Sequence, residues 1–319
     1  MNKVLISGLW YSGSSAVCDL LRQHSKVQMM PDNTTEGLPE FHAYSLGWVD
    51  EIIKAIDTSP QKKLDTLKEN LIRSTVINSF SNTDMLPEIF QEQIKYIGVD
   101  LLQKTSYLFD VNNKSKNKSE LFSDHFRNYI DSISKIHNNK EKTHLVFDQA
   151  IANYSDKETW QKLFTKSKLI IVERNILDQI ADCQKHSTFF WIVKGFTSAK
   201  DFVIDQEKQR KQLYEKYKGD KNVFFLRFED LIKNYQDTKL KILNFLDLDA
   251  NNLTLEGKHL DPSKSLKNIG KYKDFLTEAE IDSARSALVD CQYCYDLEES
   301  KVSSEMDRLK MMRSLLKKQ

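Results

Sequence analysis

The segment Gly8-Leu9-Trp10-Tyr11-Ser12-Gly13-Ser14-Ser15 sets two glycines and three serines between the apolar run Val4-Leu5-Ile6 and the helix-like Ala16-Val17-Cys18-Asp19-Leu20-Leu21. A strand, a Gly/Ser turn and a helix in that order make an anion site. The first turn of a helix leaves backbone N–H groups unpaired, and glycines let a phosphate or sulfate approach them closely. Ser12, Ser14 and Ser15 add hydroxyl donors. A second group suited to anions is Arg174, which ends the apolar run Leu169-Ile170-Ile171-Val172-Glu173. Its guanidinium is a planar fork of donors that contacts phosphate at two points.

These residues need strands to carry them and helices to cover the strands. His144 to Asp148, Lys168 to Arg174 and Val223 to Phe228 read as short buried strands, and helical spacing covers Lys157 to Phe164, Leu177 to Phe190, Asp201 to Lys218, with a charged pattern, and Asp237 to Leu246. Strands alternating with helices predict an α/β fold, a doubly wound and mostly parallel sheet with a P-loop-like strand-loop-helix. Lys26 to Trp48, with Pro31, Gly37, Pro39 and Gly47, reads as a surface loop. Helices are expected over Val49–Ile56, Lys62–Phe80, Leu86–Leu108 and Ser119–Ile136, a large helical insertion at about 49–140 within one domain spanning 1–319. The tail reads as helical from Thr277 to Leu288 and from Ser304 to Leu316.

Composition narrows the function classes. With 319 residues, 40% of them hydrophobic, the chain can bury a sizeable core. Lys and Arg number 47 against 46 Asp and Glu, so no overall field draws in nucleic acid or an acidic membrane, and any anion site is local. The apolar run after Lys3 is too short for a signal peptide or a membrane helix and reads as the first strand of a cytoplasmic domain, and no other window supplies the roughly 20 apolar residues that an integral membrane segment needs. Four cysteines do not suggest a disulfide framework. Cys18 and Cys183 fit apolar helix faces, and Cys291-Gln-Tyr-Cys294 is a lone pair without a histidine cluster, so no zinc site is expected.

The two glycines also have the spacing of a Walker A loop, but Ser14 stands where its lysine would be, which disfavours nucleotide-triphosphatase chemistry. Four segments together resemble the sulfotransferase family, whose donor is 3′-phosphoadenosine 5′-phosphosulfate (PAPS). The Ser12-Gly13-Ser14-Ser15 turn resembles the loop that holds the 5′-phosphosulfate. Val172-Glu173-Arg174-Asn175-Ile176-Leu177-Asp178 is similar to the strand whose arginine holds the 3′-phosphate. Phe225-Leu226-Arg227-Phe228-Glu229-Asp230-Leu231 with Ile242-Leu243-Asn244-Phe245-Leu246 is similar to a strand and helix that follow it, and Arg227, Glu229 and Asp230 read as a fold-stabilising network there. Asn268-Ile269-Gly270-Lys271-Tyr272-Lys273 resembles the late loop that closes over the nucleotide.

By that resemblance Tyr11, Ser12, Gly13, Ser14, Ser15, Arg174, Asp182, Lys267, Gly270 and Lys271 would bind the donor, and no metal is required. Three positions depart from the family pattern. Tyr11 stands where Lys or Arg precedes the Ser-Gly, and it brings no charge at neutral pH. Ile176 replaces a proline. Asp182 replaces a serine that would be a second ligand of the 3′-phosphate, and a carboxylate there needs an intervening cation, for which Lys185, Lys267 and Lys271 are candidates. Arg174 has a structural alternative, an ion pair with Asp178 or Glu229.

Transfer to a hydroxyl needs a base to take the acceptor proton. The resemblance points to the loop after the first helix, where Glu40 is the first candidate, Glu36 the second and His42 the third. Lys142-Thr143-His144-Leu145 looks like a family catalytic motif, but His144 starts its strand, and catalytic groups belong at the carboxyl end, where Asp148 and Gln149 stand. Lys185 and His186, like Lys310, Arg313, Lys317 and Lys318, read as solvated helix faces. The expectation is a PAPS-dependent sulfotransferase acting on a carbohydrate or other small polar acceptor, with the helical insertion shaping the acceptor pocket or a homo-oligomer interface. The alternatives are a non-catalytic binding protein on the same fold and a nucleotide-dependent phosphotransferase.

Overall fold

Central strands of a parallel sheet are buried on both faces, and this chain builds them from continuous aliphatic runs. In the computed structural model, which describes residues 1–9, 11–30, 43–72, 88–136, 141–148, 157–186, 196 and 198–290, five strands form one sheet. They are β1 (Asn2–Gly8), β2 (Val27–Met30), β3 (His144–Asp148), β4 (Ser167–Glu173) and β5 (Val223–Arg227). All pairings are parallel and the spatial order is β2-β3-β1-β4-β5. β1 lies at the centre, with Leu5 beside Phe147 on one side and beside Leu169 on the other.

Alternation along the strands divides the core into two layers. Leu5, Leu145, Phe147, Leu169 and Ile171 face one layer, and Val4, Ile6, Val146, Ile170 and Val172 face the other. The second layer is closed by α1 (Ser14–Arg22), whose Ala16, Val17, Leu20 and Leu21 recur at helical spacing on its buried face. The first is closed by helices that run between β2 and β3: α2 (Ala43–Ala55), α3 (Gln61–Ile72), α4 (Glu88–Thr105) and α5 (Lys118–Ile136). Trp160 of α6 (Lys157–Leu163) completes it, donating its indole N–H to the Tyr217 hydroxyl at 3.0 Å.

After β4 come α7 (Ile176–His186) and α8 (Ala199–Tyr217), and after β5 come α9 (Phe228–Lys233) and α10 (Tyr235–Leu246). The late segment adds the short α11 (Pro262–Ser265) and α12 (Tyr272–Phe275) and then α13 (Glu278–Asp290). Ile176, Leu177, Ile180, Phe202, Val203, Tyr272, Ala284 and Leu288 form a third apolar cluster that fastens this segment to α7 and α8.

The fold class agrees with the sequence reading, and local differences have physical causes. Val27–Met30 is an edge strand where a loop was expected, because Val27 and Met29 bury against the α1 layer while β3 supplies the hydrogen bonds. The first inserted helix begins at Ala43, the second is described to Ile72, and the third ends at Thr105 in a 3-10 turn, Ser106–Phe109. Phe228 opens a helix where it was read as the last residue of its strand. Cys18 and Cys183 are buried thiols as expected, and burial, with the nearby Asp148 and Asp182 carboxylates, pushes both well above the ordinary thiol range. Residues 291–319, with the Cys291 and Cys294 pair and the basic end of the last helix, lie outside the described residues.

Candidate functional site

The carboxyl ends of β1 and β4 sit side by side, with Gly8 in register with Val172, and this is the edge where open α/β sheets place ligands. The chain leaves β1 in a tight turn. A side chain at Gly8 would lie 1.9 Å from Ser12 Oγ, and the Ser12 N–H donates to Leu9 O at 2.9 Å. Tyr11 has φ 55° and Gly13 has φ 86°, so two residues of the turn are left-handed and point the chain into α1. Gly13 is the N-cap of α1 and supplies no side-chain acceptor, and no acidic residue occupies the first turn. The helix start therefore keeps its positive end for something other than its own side chains. The Ser12 hydroxyl is buried and has no hydrogen-bond partner among the described residues.

Arg174 follows β4 and its guanidinium lies under the same loop. Nη1 donates to Tyr11 O at 3.1 Å and to Asp182 Oδ2 at 2.6 Å, and Nη2 donates to Asn268 O at 2.6 Å. Its guanidinium carbon is 5.1 Å from the centroid of the Phe228 ring, a cation–π distance. The side chain is only 5% exposed. Arg174 pairs with Asp182, and neither Asp178 nor Glu229, the partners read as alternatives from the sequence, takes that place.

Asp178 and Asp182 are one helical spacing apart and share a face of α7. Both hold the late loop. Asp178 accepts the backbone N–H groups of Gly270 at 2.8 Å and Tyr272 at 3.0 Å, and Asp182 pairs with Lys271 Nζ as well as with Arg174. Burial raises the Asp178 carboxyl above its ordinary range despite those two N–H donors. Burial pushes Asp182 in the same direction, but the Lys271 and Arg174 contacts outweigh it and hold this carboxyl below the usual range. Of the three lysines weighed as intervening cations, Lys271 reaches Asp182, Lys267 is exposed, and Lys185 lies over the Phe275 ring at 4.9 Å.

A layer of buried polar groups supports Arg174 from beneath. Asn175 Oδ1 caps α7 by accepting the Leu177 N–H at 2.9 Å, and the Asn175 N–H donates to Glu229 Oε1 at 2.8 Å. Arg210 of α8 donates to the Arg174 carbonyl at 2.5 Å, to Gln179 Oε1, and to Glu207 Oε1 at 2.9 Å. Sequence reasoning missed Arg210 by reading α8 only as a charged helix. The signal was present: Gln206, Glu207 and Arg210 fall on the stripe shared with Val203, Leu213 and Tyr217, all of them buried. Burial raises the Glu173 and Glu207 carboxyls, and the Arg210 charge opposes that rise in both.

Of the residues expected to bind the donor, Tyr11, Ser12, Gly13, Ser14, Ser15, Arg174, Asp182, Gly270 and Lys271 come together around the ends of β1 and β4. The Tyr11 ring packs against the apolar cluster of α7 and α8, and its backbone carbonyl is what Arg174 contacts. The three candidates for the base, Glu36, Glu40 and His42, lie outside the described residues, as does Gln149. Asp148 ends β3, half-buried and beside Cys18. His144 is at the opposite end of that strand, where Nε2 contacts Leu246 O at 2.9 Å and Nδ1 contacts Thr143 Oγ1 at 2.9 Å. A cavity of about 380 Å³ lined by Trp160, Phe164, Lys168 and Asn222 also opens at the amino ends of the strands, away from the Gly8–Ser15 loop.

Among solved structures, the chain is similar to the sulfotransferase domain of the Synechococcus PCC 7002 olefin synthase, with 13% identity, 92% of this chain and 95% of that one covered, and a TM-score of 0.48. The sulfotransferase domain of the curacin biosynthetic pathway matches with 14% identity over 98% of this chain and 97% of that one, at a TM-score of 0.43. Sulfotransferase STF1 of Mycobacterium tuberculosis H37Rv matches with 13% identity over 85% and 76%, at a TM-score of 0.40. Similarities of this size carry no conclusion about substrate. No curated protein sequence matches the chain. The family model described as "Sulfotransferase family" does match, over residues 3–252, a span that takes in β1, the Gly8–Ser15 loop, Arg174, Asp182 and all of α10, and the chain therefore belongs to the sulfotransferase family.

Proposed function

We propose that this protein moves a sulfuryl group from PAPS to a hydroxyl of a carbohydrate or other small polar acceptor, in a cytoplasmic setting and without a metal. The observation that carries the reading is the 3.1 Å contact between Arg174 Nη1 and Tyr11 O, which sets a strand-end cation against an anion loop. Two further features fit the donor: the start of α1 lacks a side-chain cap, and the buried Ser12 hydroxyl lacks, among the described residues, a partner that a phosphosulfate oxygen could supply. In this reading Ser12 to Ser15 receive the 5′-phosphosulfate, Arg174 steadies the loop and faces the 3′ side of the nucleotide, and Lys267, Gly270 and Lys271 cover it. Glu40, then Glu36, then His42 is the order of preference for the base. The helices from Ala43 to Ile136 shape the acceptor pocket or an interface with a second copy.

The test is incubation with PAPS carrying a labelled sulfuryl group and a panel of hydroxyl acceptors. Labelled ester formed together with adenosine 3′,5′-bisphosphate, and lost in Arg174→Ala, supports the reading. Turnover of ATP with magnesium in place of PAPS would assign the fold to phosphoryl transfer. A second reading, a non-catalytic binding protein, is favoured by the pairing of Arg174 with Asp182. It predicts that no adenine nucleotide binds at all.

A further inference from the structure

Arg174 and Lys271 already hold an anion, and that anion belongs to the protein. Asp182 Oδ2 accepts from Arg174 Nη1 at 2.6 Å and Oδ1 pairs with Lys271 Nζ. The remaining guanidinium contacts go to the Tyr11 and Asn268 carbonyls, and one face of the group is covered by Phe228. Among the described residues only Nε has no partner, and it is buried. A phosphate dianion is held by several charged donors at once. Nη1 and Nη2 both have protein acceptors, and the carboxylate between Arg174 and Lys271 repels a second anion at close range.

We infer that Asp182 acts as a built-in substitute for a 3′-phosphate, so that the site discounts that group and accepts adenosine 5′-phosphosulfate as a sulfuryl donor alongside PAPS. The inference rests on the nucleotide reading above and names the donor class within it. Three relations make Asp182 suited to the part. It lies eight residues after Arg174, which brings it along α7 to the guanidinium. The side chains of Arg174, Asp182 and Lys271 are 5%, 10% and 11% exposed, so water screens the contacts little. The Arg174–Asp182 pair also helps fasten the late loop, beside Asp178, because Asn268 and Lys271 come from that loop and meet these two side chains. With serine at this position, Arg174 and Lys271 would lose the carboxylate they share here until a 3′-phosphate arrived. Here the loop is fastened without it. The downward shift of the Asp182 carboxyl keeps it charged at neutral pH, so protonation does not vacate the place.

The chemistry of transfer is unchanged by the missing phosphate. The acceptor hydroxyl oxygen forms a bond to sulfur, and the bond from sulfur to the 5′-phosphate oxygen breaks. The hydroxyl proton passes to the base, and adenosine 5′-phosphate leaves with the electron pair. Asp182 touches none of the reacting atoms and is a positioning and specificity residue acting through Arg174 and Lys271.

The experiment is calorimetric titration of the full chain with adenosine 5′-phosphate and with adenosine 3′,5′-bisphosphate, in wild type, Asp182→Ser and Asp182→Asn, beside turnover with the two donors. The wild type is expected to bind both nucleotides within about threefold and to turn over both donors. Asp182→Ser is expected to strengthen the bisphosphate about tenfold or more, equivalent to 1.4 kcal/mol, while leaving the monophosphate within about threefold. Asp182→Asn, which keeps the shape and removes the charge, should move the ratio the same way. A wild-type preference of about tenfold or more for the bisphosphate, or equal changes in both affinities on substitution, would overturn the inference and leave the nucleotide site standing. Absence of binding by either nucleotide to folded wild type and variants would overturn the nucleotide reading and this inference with it.

Discussion

Gly13 faces Phe228 so closely that a methyl group on it would lie 2.5 Å from ring atom Cδ2. The same ring stacks under the Arg174 guanidinium. Gly13, Phe228 and Arg174 therefore form a stack that joins the start of α1, the start of α9 and the end of β4. The glycine's φ of 86° adds a second demand, since a left-handed conformation costs an L-residue about 1–2 kcal/mol before any clash. Gly13→Ala is expected to destabilise the fold by about 2 kcal/mol or more. Urea unfolding would register the loss as a lower midpoint. Combining it with Phe228→Ala should cost less than the sum of the two single changes, because the ring that clashes is gone.

Arg210 is the cation that serves the buried carbonyl and carboxylates beneath the site. It contacts the Arg174 carbonyl, Gln179 and Glu207, and Glu207 is itself buried. Arg210→Met keeps much of the volume and leaves Glu207 without its counter-charge. A cost of about 3–5 kcal/mol is expected, the range for breaking one side of a buried pair. Changing Glu207→Gln in the same chain should recover part of it. Equal stabilities of Arg210→Met and the double variant would show that the charge of Glu207 is not what is lost.

Asn175 gives the strand-end motif a structural meaning apart from ligand binding. Its side-chain oxygen caps α7 at the Leu177 N–H. Asn175→Ala should cost about 1 kcal/mol, and Asn175→Asp should be nearly neutral because aspartate caps as well. Thermal melting of the three proteins distinguishes these outcomes.

Asp182 makes a prediction about acid. Its carboxyl is held below the ordinary range, because contacts with Lys271 and Arg174 outweigh a burial that alone would raise it. A carboxylate depressed on folding contributes stability above its unfolded value of about 3.9, and that contribution is lost as pH falls through the lower folded value. Wild type should exceed Asp182→Asn by about 2 kcal/mol at pH 7, the scale of hydrogen bonds to charged groups. The gap should close as pH falls below about 4. A gap independent of pH from 7 to 2 would show that the ionised form is not what matters.

The strand and loop identities were legible in the sequence because they rest on local chemistry. Val4-Leu5-Ile6 and Leu169-Ile170-Ile171-Val172 are short, rich in β-branched residues and apolar at every step, as strands buried on both faces require. The Gly8–Ser15 turn carries a glycine at position 13, where the backbone is left-handed. Order along the chain then fixed strand-loop-helix and the alternation that yields a parallel sheet. The short edge strand Val27–Met30 could not be read this way, since its two apolar residues acquire meaning only from pairing with β3 and burial against α1.

What Arg174 contacts was decided by tertiary structure alone. The sequence offered Asp178 and Glu229 as partners, one close along the chain and one distant, with Asp182 read at a ligand position, and three lysines as cations. Folding brought Asp182 and Lys271 together across a separation of 89 residues, turned Asp178 toward backbone N–H groups of the late loop, and gave Glu229 to Asn175. Arg210 likewise stood only within a charged helical pattern until α8 was laid against the end of β4. Residue type determines which contacts a side chain can make, and spacing determines those within a helix or strand. Contacts between elements depend on how whole faces pack, a property that no short stretch of sequence contains.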